Sequence, residues 1–332
     1  MVPTPMTESS TAVQQGDGLR SRFRSSALAE GVALLVIYVL IVLVMSLLSD
    51  VFLSTRNFRN LLLASSTMGI IAMVTTMLMV GGGLDLSVGS TVALVGVVIS
   101  HSQSTLGVWG AVAAGVLAAM LVGIVNGVLV TRVGINALIT TLGMFSIVRG
   151  LAFVISGGLT ETVLDPAFGE IGRGFVGGVP VPVLVFVVVI IVCFIVMRRT
   201  QYGRAMYMVG GNPVASYLAG LKVKNYLFIA FVLSGLSAGV AGVILTSLLG
   251  AGAPQAASGL ELSVIAAVIL GGTSLAGGKG TILGTLIGIL ILGTLNNGMV
   301  LLSVSAYYQQ IALGLVLLLA VGLDQLRLRG QV

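Results

Sequence analysis

The chain has 332 residues, of which 57% are hydrophobic and only 8% charged, against about 25% charged in an ordinary soluble domain. So few charges cannot cover a soluble surface of this size, whereas a polytopic helical protein in lipid needs polarity only in its loops. The composition excludes a soluble globular fold, and with it the nucleic-acid reading that a net charge of +6 would otherwise invite.

Residues 1–29 are polar, contain Arg20, Arg22 and Arg24, and read as a disordered cytoplasmic arm. A secretory leader is the rival reading, but the apolar run that follows, Gly31 to Ser49, is long enough to be retained as a first span. Further apolar segments lie at 58–80, 86–101, 107–131, 135–156, 181–197, 226–250, 260–275, 281–302 and 306–323, which makes ten. The third and eighth are short and punctuated by glycine. The expectation is an all-α polytopic membrane protein with a permease-sized domain over 30–326 and a short tail at 327–332. The 46 glycines fit spans that approach through small-residue faces. The lone Cys193 sits in an apolar run and forms no internal disulfide.

Loop charge orients the spans, because Lys and Arg concentrate on the cytoplasmic side. With both termini inside, twelve fall in the cytoplasm (Arg132, Arg198, Arg199, Arg204, Lys222, Lys224 and Lys279 among them), three outside (Arg56, Arg59, Arg173), and Arg149 within a segment. The longest external loop, Gly157 to Pro180, carries Glu161, Asp165 and Glu170. Two stretches, GGLDLSVG from Gly82 and GGTSLAGG from Gly271, share the pattern GGxxLxxG, 271 − 82 = 189 residues apart. Glycine interruptions at matching places are a mark of transporter repeats, and a glycine-rich chain also produces such matches by chance.

The longest polar interruption in the second half is RRTQYGRAMYMVGGNPVASYLAGLKVK, Arg198 to Lys224, with five of the sixteen cationic residues. Asn212 is placed to cap a helix, Pro213 fits its first position, and Gly220 supplies a left-handed stop. A short cytoplasmic helix from Pro213 to Ala219 follows. Its Ala215, Ser216 and Ala219 leave the backbone approachable, while Tyr217 and Leu218 can fill a pocket. A juxtamembrane segment on anionic lipid is the plainer reading of the charge, but it does not call for the Asn-Pro start and Gly stop.

The stretch GRAMYMVGGNPVASYLAGLKV resembles the coupling helix of permeases in the ribose-type family of ATP-binding-cassette importers, whose pattern is close to GR-x-x-Y-A-x-GGN-x-x-A-A-x-x-x-GI. Gly203, Arg204, Tyr207, Gly210, Gly211, Asn212, Ala215 and Gly220 match it, while Met208, Ser216 and Leu221 depart mildly. GGGLDLSVGS (81–90), GLELSVIAAVILGGTSLAGGKGT (259–281) and GTLIGILILGTLNNGMVLLSVSAYYQQ (284–310) resemble the same family. The resemblance covers roughly residues 30–326. It implies one permease subunit paired with itself or a paralogue, two cytoplasmic ATPase domains docking at Gly203 to Gly220, and an external sugar-binding protein. ATP and magnesium would belong to the ATPase partners, and this chain would bind neither.

The residues agree on the last point. GGTSLAGGKGT lacks the glycine and the Ser or Thr of a phosphate loop, having Thr273 and Gly280 at those places. Asp85 stands in GxGxD rather than beside a second carboxylate, and His101 is the only histidine, so no aspartyl dyad, metal set or Ser-His pair is present. Asp85 is expected to cap the third segment. An ion-coupled carrier is the alternative class, along with an importer for another sugar, a polyol or a furanose signalling molecule. Polar residues within spans are the pathway candidates: Asp85, Asn126, Asn136, Arg149, Asn296, Asn297 and, at an external end, Tyr307 with Tyr308 and Gln309. Packing glue between helices is the plainer reading of each Asn, and Arg149 is open to snorkelling to an interface or to pairing with Asp165.

Overall fold

The computed structural model describes the backbone of residues 31–329 and the side chains of residues 31–322. The expected arm at 1–29 and the side chains of the tail at 327–332 lie outside that range. Twelve helices follow in order: α1 Gly31–Leu48, α2 Thr55–Val80, α3 Val88–Val128, α4 Ala137–Ser156, α5 Pro166–Arg173, α6 Val181–Arg199, α7 Gln201–Gly211, α8 Pro213–Leu218, α9 Val223–Leu249, α10 Leu260–Leu270, α11 Ile282–Leu301 and α12 Ala306–Arg329. A π-helical turn, Leu129–Val133, extends α3. Among the described residues the only strands are two-residue pairs, β1 Glu161–Thr162 with β4 Ala251–Gly252, and β2 Phe175–Val176 with β3 Val179–Pro180.

Seven of these helices are long and apolar enough to cross a membrane, and α10 and α12 are shorter apolar helices over their described side chains. The expected segments 86–101 and 107–131 are the two limbs of α3, which breaks at Gly107 (φ 67°, ψ 163°). That backbone is open to glycine and strained for any residue with a Cβ. Gly115 packs on Val95 and Ile99, so the second limb lies back along the first. The expected segment 260–275 shortens to eleven residues in α10, because the chain stops at Gly271 and Gly272.

At the centre stands α2. Every residue from Ser65 to Val80 is buried, the pattern of a helix surrounded by others rather than one with a lipid-facing side. Some of its hydroxyls bond within the bundle: Thr76 Oγ1 is 2.7 Å from Thr285 Oγ1 on α11 and donates to the Ala72 carbonyl at 2.8 Å. α3 crosses α9 through glycine. A Cβ on Gly123 would strike the Phe231 carbonyl, and one on Gly235 would strike the Ala119 carbonyl, so the two backbones touch, as small-residue interfaces in lipid allow. α1 is peripheral, with no residue of its apolar window buried apart from Met45, which sits against Gly298.

Charges separate the two ends of the bundle. One end gathers Arg132, whose Nη2 donates to Asn225 Oδ1 at 2.8 Å, the Arg198–Lys224 segment and the 271–281 loop. The other holds His101 beside Glu161 at 3.1 Å, the β1–β4 pair and Arg59 over the Phe175 ring. The long loop 157–180 contains α5, whose first turn is capped by Asp165 accepting from Ala167 N at 2.8 Å.

Candidate functional site

The basic segment folds into two helices rather than one. Besides the expected short helix, α7 occupies the part of the polar interruption before Asn212. Its start is capped by Thr200, whose Oγ1 accepts from Gly203 N at 3.3 Å, and its buried side carries Ala205, Met206 and Val209. Asn212 then caps α8 by accepting from Ala215 N at 2.9 Å, with Pro213 at the first position. α8 ends at Leu218, one residue before the expected end, and Gly220 adopts φ +85°. Val214, Tyr217 and Leu218 stand 69%, 72% and 79% exposed, an apolar face turned out of the protein. Ala215 and Ala219 are exposed beside them, whereas Ser216 is buried and faces inward. Arg204 is exposed. Gly203 packs so closely on the Met197 backbone that no Cβ fits.

α7 is tied to two distant loops through glycine. At Gly210 a Cβ would strike the Val80 carbonyl and Gly278 N, and at Gly277 it would strike Gly210 and Gly82. Gly278 N donates to the Val80 carbonyl at 2.8 Å, and Tyr207 Oη donates to the Gly280 carbonyl at 2.8 Å. The two glycine stretches that echo each other in sequence thus meet at one point beneath α7. Their stops are built alike. Gly81, Gly82 and Gly83 N donate to the carbonyls of Met77, Met79 and Leu78, and Gly271, Gly272 and Thr273 N donate to those of Ala267, Ile269 and Val268. These are paired Schellman turns, and they align with a separation of 271 − 81 = 190, one residue from the sequence alignment. By contrast Gly211 has open space around it. Burial raises the Tyr207 phenol above its ordinary range and keeps it a donor.

The intramembrane candidates divide into three groups. Asp85 and Asn126 belong to a buried knot: Asp85 Oδ1 accepts from Ser87 N at 2.9 Å, Ser87 Oγ at 2.6 Å and Asn126 Nδ2 at 3.4 Å, while Oδ2 accepts from Ser234 Oγ at 2.8 Å. Asp85 therefore pins the turn before α3 to α9 instead of capping the α3 first turn. Asn136 caps α4, accepting from Leu138 N at 2.9 Å. Arg149 does not meet Asp165. Its Nη1 donates to the Pro254 and Ala256 carbonyls at 2.7 and 2.8 Å, and it interacts electrostatically with Glu261.

Asn296 and Asn297 form the third group. They line a cavity of about 450 Å³ between α2, α11 and α12, together with Asn57, Asn60, Ser65 and Gln309. Asn57 and Asn297 exchange hydrogen bonds, 2.9 Å one way and 2.8 Å the other. The Ser65 hydroxyl is buried there without a partner. A second cavity of about 780 Å³ shares Ser263, Asn296 and Gln309 and opens toward Ser258 and Gln310. Tyr307 is 80% exposed and outside both. Sequence reasoning missed Asn57, Asn60, Ser65 and Ser263. Two asparagines at the head of an apolar segment were the available signal for the first pair. Amides and hydroxyls lining an otherwise apolar cavity suit a neutral, hydroxyl-rich solute. Among the described residues no cluster of His, Cys, Asp and Glu could hold a metal.

Seven helices long and apolar enough to cross a membrane, an apolar-faced helix projecting from the basic end and an amide-lined cavity define a multi-pass membrane protein. Residues 57–321 match the family described as branched-chain amino acid transport system / permease component, and the chain belongs to that family. It is 42% identical to the L-arabinose ABC transporter permease protein AraH of Azospirillum brasilense, covering 89% of this chain and 87% of the relative. Identity to the ribose import permease protein RbsC is 40% in Bacillus subtilis, over 86% of this chain and 90% of the relative. The Escherichia coli protein of the same name is 42% identical, over 92% and 96% respectively.

Proposed function

We propose that this chain is the permease subunit of an ATP-driven importer that carries a pentose such as ribose or arabinose delivered by an external binding protein. Two permeases, the same chain twice or a paralogue, would form the pathway, with two ATPase domains beneath them. The basic end faces the cytoplasm, in keeping with the distribution of Lys and Arg. Nucleotide and magnesium belong to the ATPase subunits, and this chain binds no cofactor of its own. The relatives named for arabinose and ribose support the sugar class, and the amide-lined cavity supports a hydroxyl-rich solute.

The observation that carries the mechanism is the glycine junction. α8 offers Val214, Tyr217 and Leu218 to a partner groove, and a push there moves α7. Through Gly210, the Val80 carbonyl and Gly278 N, α7 transmits the displacement to the ends of α2 and α10 without a flexible side chain between them. Those two helices border the larger cavity on its Leu63–Met68 and Leu260–Ser263 sides. Motion of α2 and α10 would open that space alternately to the two faces.

The test is the reconstituted complex with Gly211→Trp and Ala215→Trp. Both positions face outward, so membrane insertion and permease folding should persist while sugar-stimulated ATP turnover falls to the basal rate. Wild-type stimulated turnover in both variants refutes the assignment of α8. Uptake by this chain alone under an ion gradient would instead establish the carrier reading.

A further inference from the structure

A crevice of about 460 Å³ at the basic end, beside α6, takes no part in the mechanism above. It lies between α6, α7 and the start of α11 and is lined by Phe194, Arg198, Arg204, Tyr207, Thr281 and Leu283. Arg198 is steadied over the Phe194 ring, with its guanidinium carbon 5.4 Å from the centroid. Neither arginine takes part in an ion pair among the described residues, and no Asp or Glu lines the crevice. The N-terminus of the 20-residue α11 adds the positive end of its dipole, with Thr281 Oγ1 accepting from Gly284 N at 3.0 Å. The mouth therefore presents two cations and a helix N-terminus, all of one sign.

Beyond the mouth the wall is apolar. Leu283 is 52% exposed, and Ile195 and Ile191 continue the bare face of α6 away from Arg198, a distance of about 10 Å at 1.5 Å per residue. Free phosphate would use the mouth and leave this wall bare. A molecule with an anionic head and a hydrocarbon tail uses both, and basic pockets between helices on the cytoplasmic side are where such headgroups bind.

We propose that this crevice is a binding site for an anionic phospholipid of the inner leaflet, its phosphate at Arg198 and Arg204 and its acyl chain along Phe194, Leu283 and Ile195. The lipid bridges α6, α7 and α11, and so braces the side of α7 where Tyr207 reaches the Gly280 carbonyl.

The experiment measures lipid retained by the full chain in detergent, by native mass spectrometry, after addition of phosphatidylglycerol or phosphatidylcholine. Phosphatidylglycerol should be retained preferentially. Arg198→Gln and Arg204→Gln should each lower its retention about fivefold, the worth of one cation near an anionic membrane surface. Arg198→Lys should restore most of the loss, which separates charge from fold, and Leu283→Trp should lower retention with both charges intact. Equal retention of the two lipids, or wild-type retention of phosphatidylglycerol in the double glutamine variant, overturns the site. Thermal stabilisation by inorganic phosphate equal to that by phosphatidylglycerol, with Leu283→Trp inert, assigns a free-anion site and overturns the lipid.

Discussion

The basic end and the amide-lined cavity are built on opposite plans. At the basic end three glycine segments press backbone on backbone, and Gly210, Gly277 and Gly278 leave no room for a Cβ. Around Asn57, Asn296 and Asn297 the helices stand apart over about 450 Å³, held by side-chain amides and the Gln309-to-Val304 carbonyl bond. Backbone contacts cannot re-pack without moving whole helices, because packed interfaces switch rather than deform. Amide pairs exchange at about 1 kcal/mol each. The contrast teaches where force and solute can be handled: a rigid joint transmits displacement, and a loosely bonded cavity lets a polar solute exchange partners.

The harshest way to break that contrast is Gly210→Val. Its side chain meets the Val80 carbonyl and Gly278 N, neither of which can swing aside, and overpacking of this kind costs about 3 kcal/mol or more. Thermal unfolding followed by size-exclusion chromatography should show a large loss, whereas Gly211→Ala, with open space around it, should be neutral or slightly stabilising. Equal behaviour of the two variants would mean that the junction is not rigid.

Arg149→Met comes next. It removes the donor shared by the Pro254 and Ala256 carbonyls and leaves Glu261 without its neighbouring charge. A loss of about 2–3 kcal/mol is expected from charged hydrogen bonds of this kind, and adding Glu261→Gln should recover part of it. Stability of both variants in detergent measures the coupling, and a fully additive pair of losses would show that the two residues act independently.

The smallest effect is expected in the cavity. Asn57→Ala and Asn297→Ala should each cost about 1 kcal/mol, with the double variant costing less than the sum. Asn296→Leu should leave stability unchanged and slow sugar uptake in the complex, since Asn296 lines the cavity and has no side-chain hydrogen bond among the described residues. Uptake at the wild-type rate in Asn296→Leu would remove the cavity from the pathway.

Features whose causes are local could be read from the chain. The Asn212-Pro213 start and Gly220 stop define α8 almost to the residue, because capping uses atoms within one turn. α7 was invisible for the complementary reason. Gly203, Gly210 and Gly211 depress its helical propensity, and its stability comes from docking Met206 and Val209 into the core. The α2 terminal turn and the α10 terminal turn were visible as repeated glycines, yet nothing in either stretch says that Gly210 would join them. Arg149 shows the same limit. Its charge inside a span marked it for a partner, but that partner is two loop carbonyls about a hundred residues away in sequence.

By itself the sequence determined the membrane class, from 8% charge, along with most span positions and the short basic-end helix. Apolar length, loop charge and helix caps are properties of a few neighbouring residues, so they survive without knowledge of the fold. Tertiary structure alone decided that α3 doubles back at Gly107, that Asp85 knots the turn before α3 to α9, and that Asn57 shares a cavity with Asn297. Each joins groups far apart along the chain, and such contacts are set by how the helices pack: here, by where glycine lets two backbones touch and where larger side chains hold them apart.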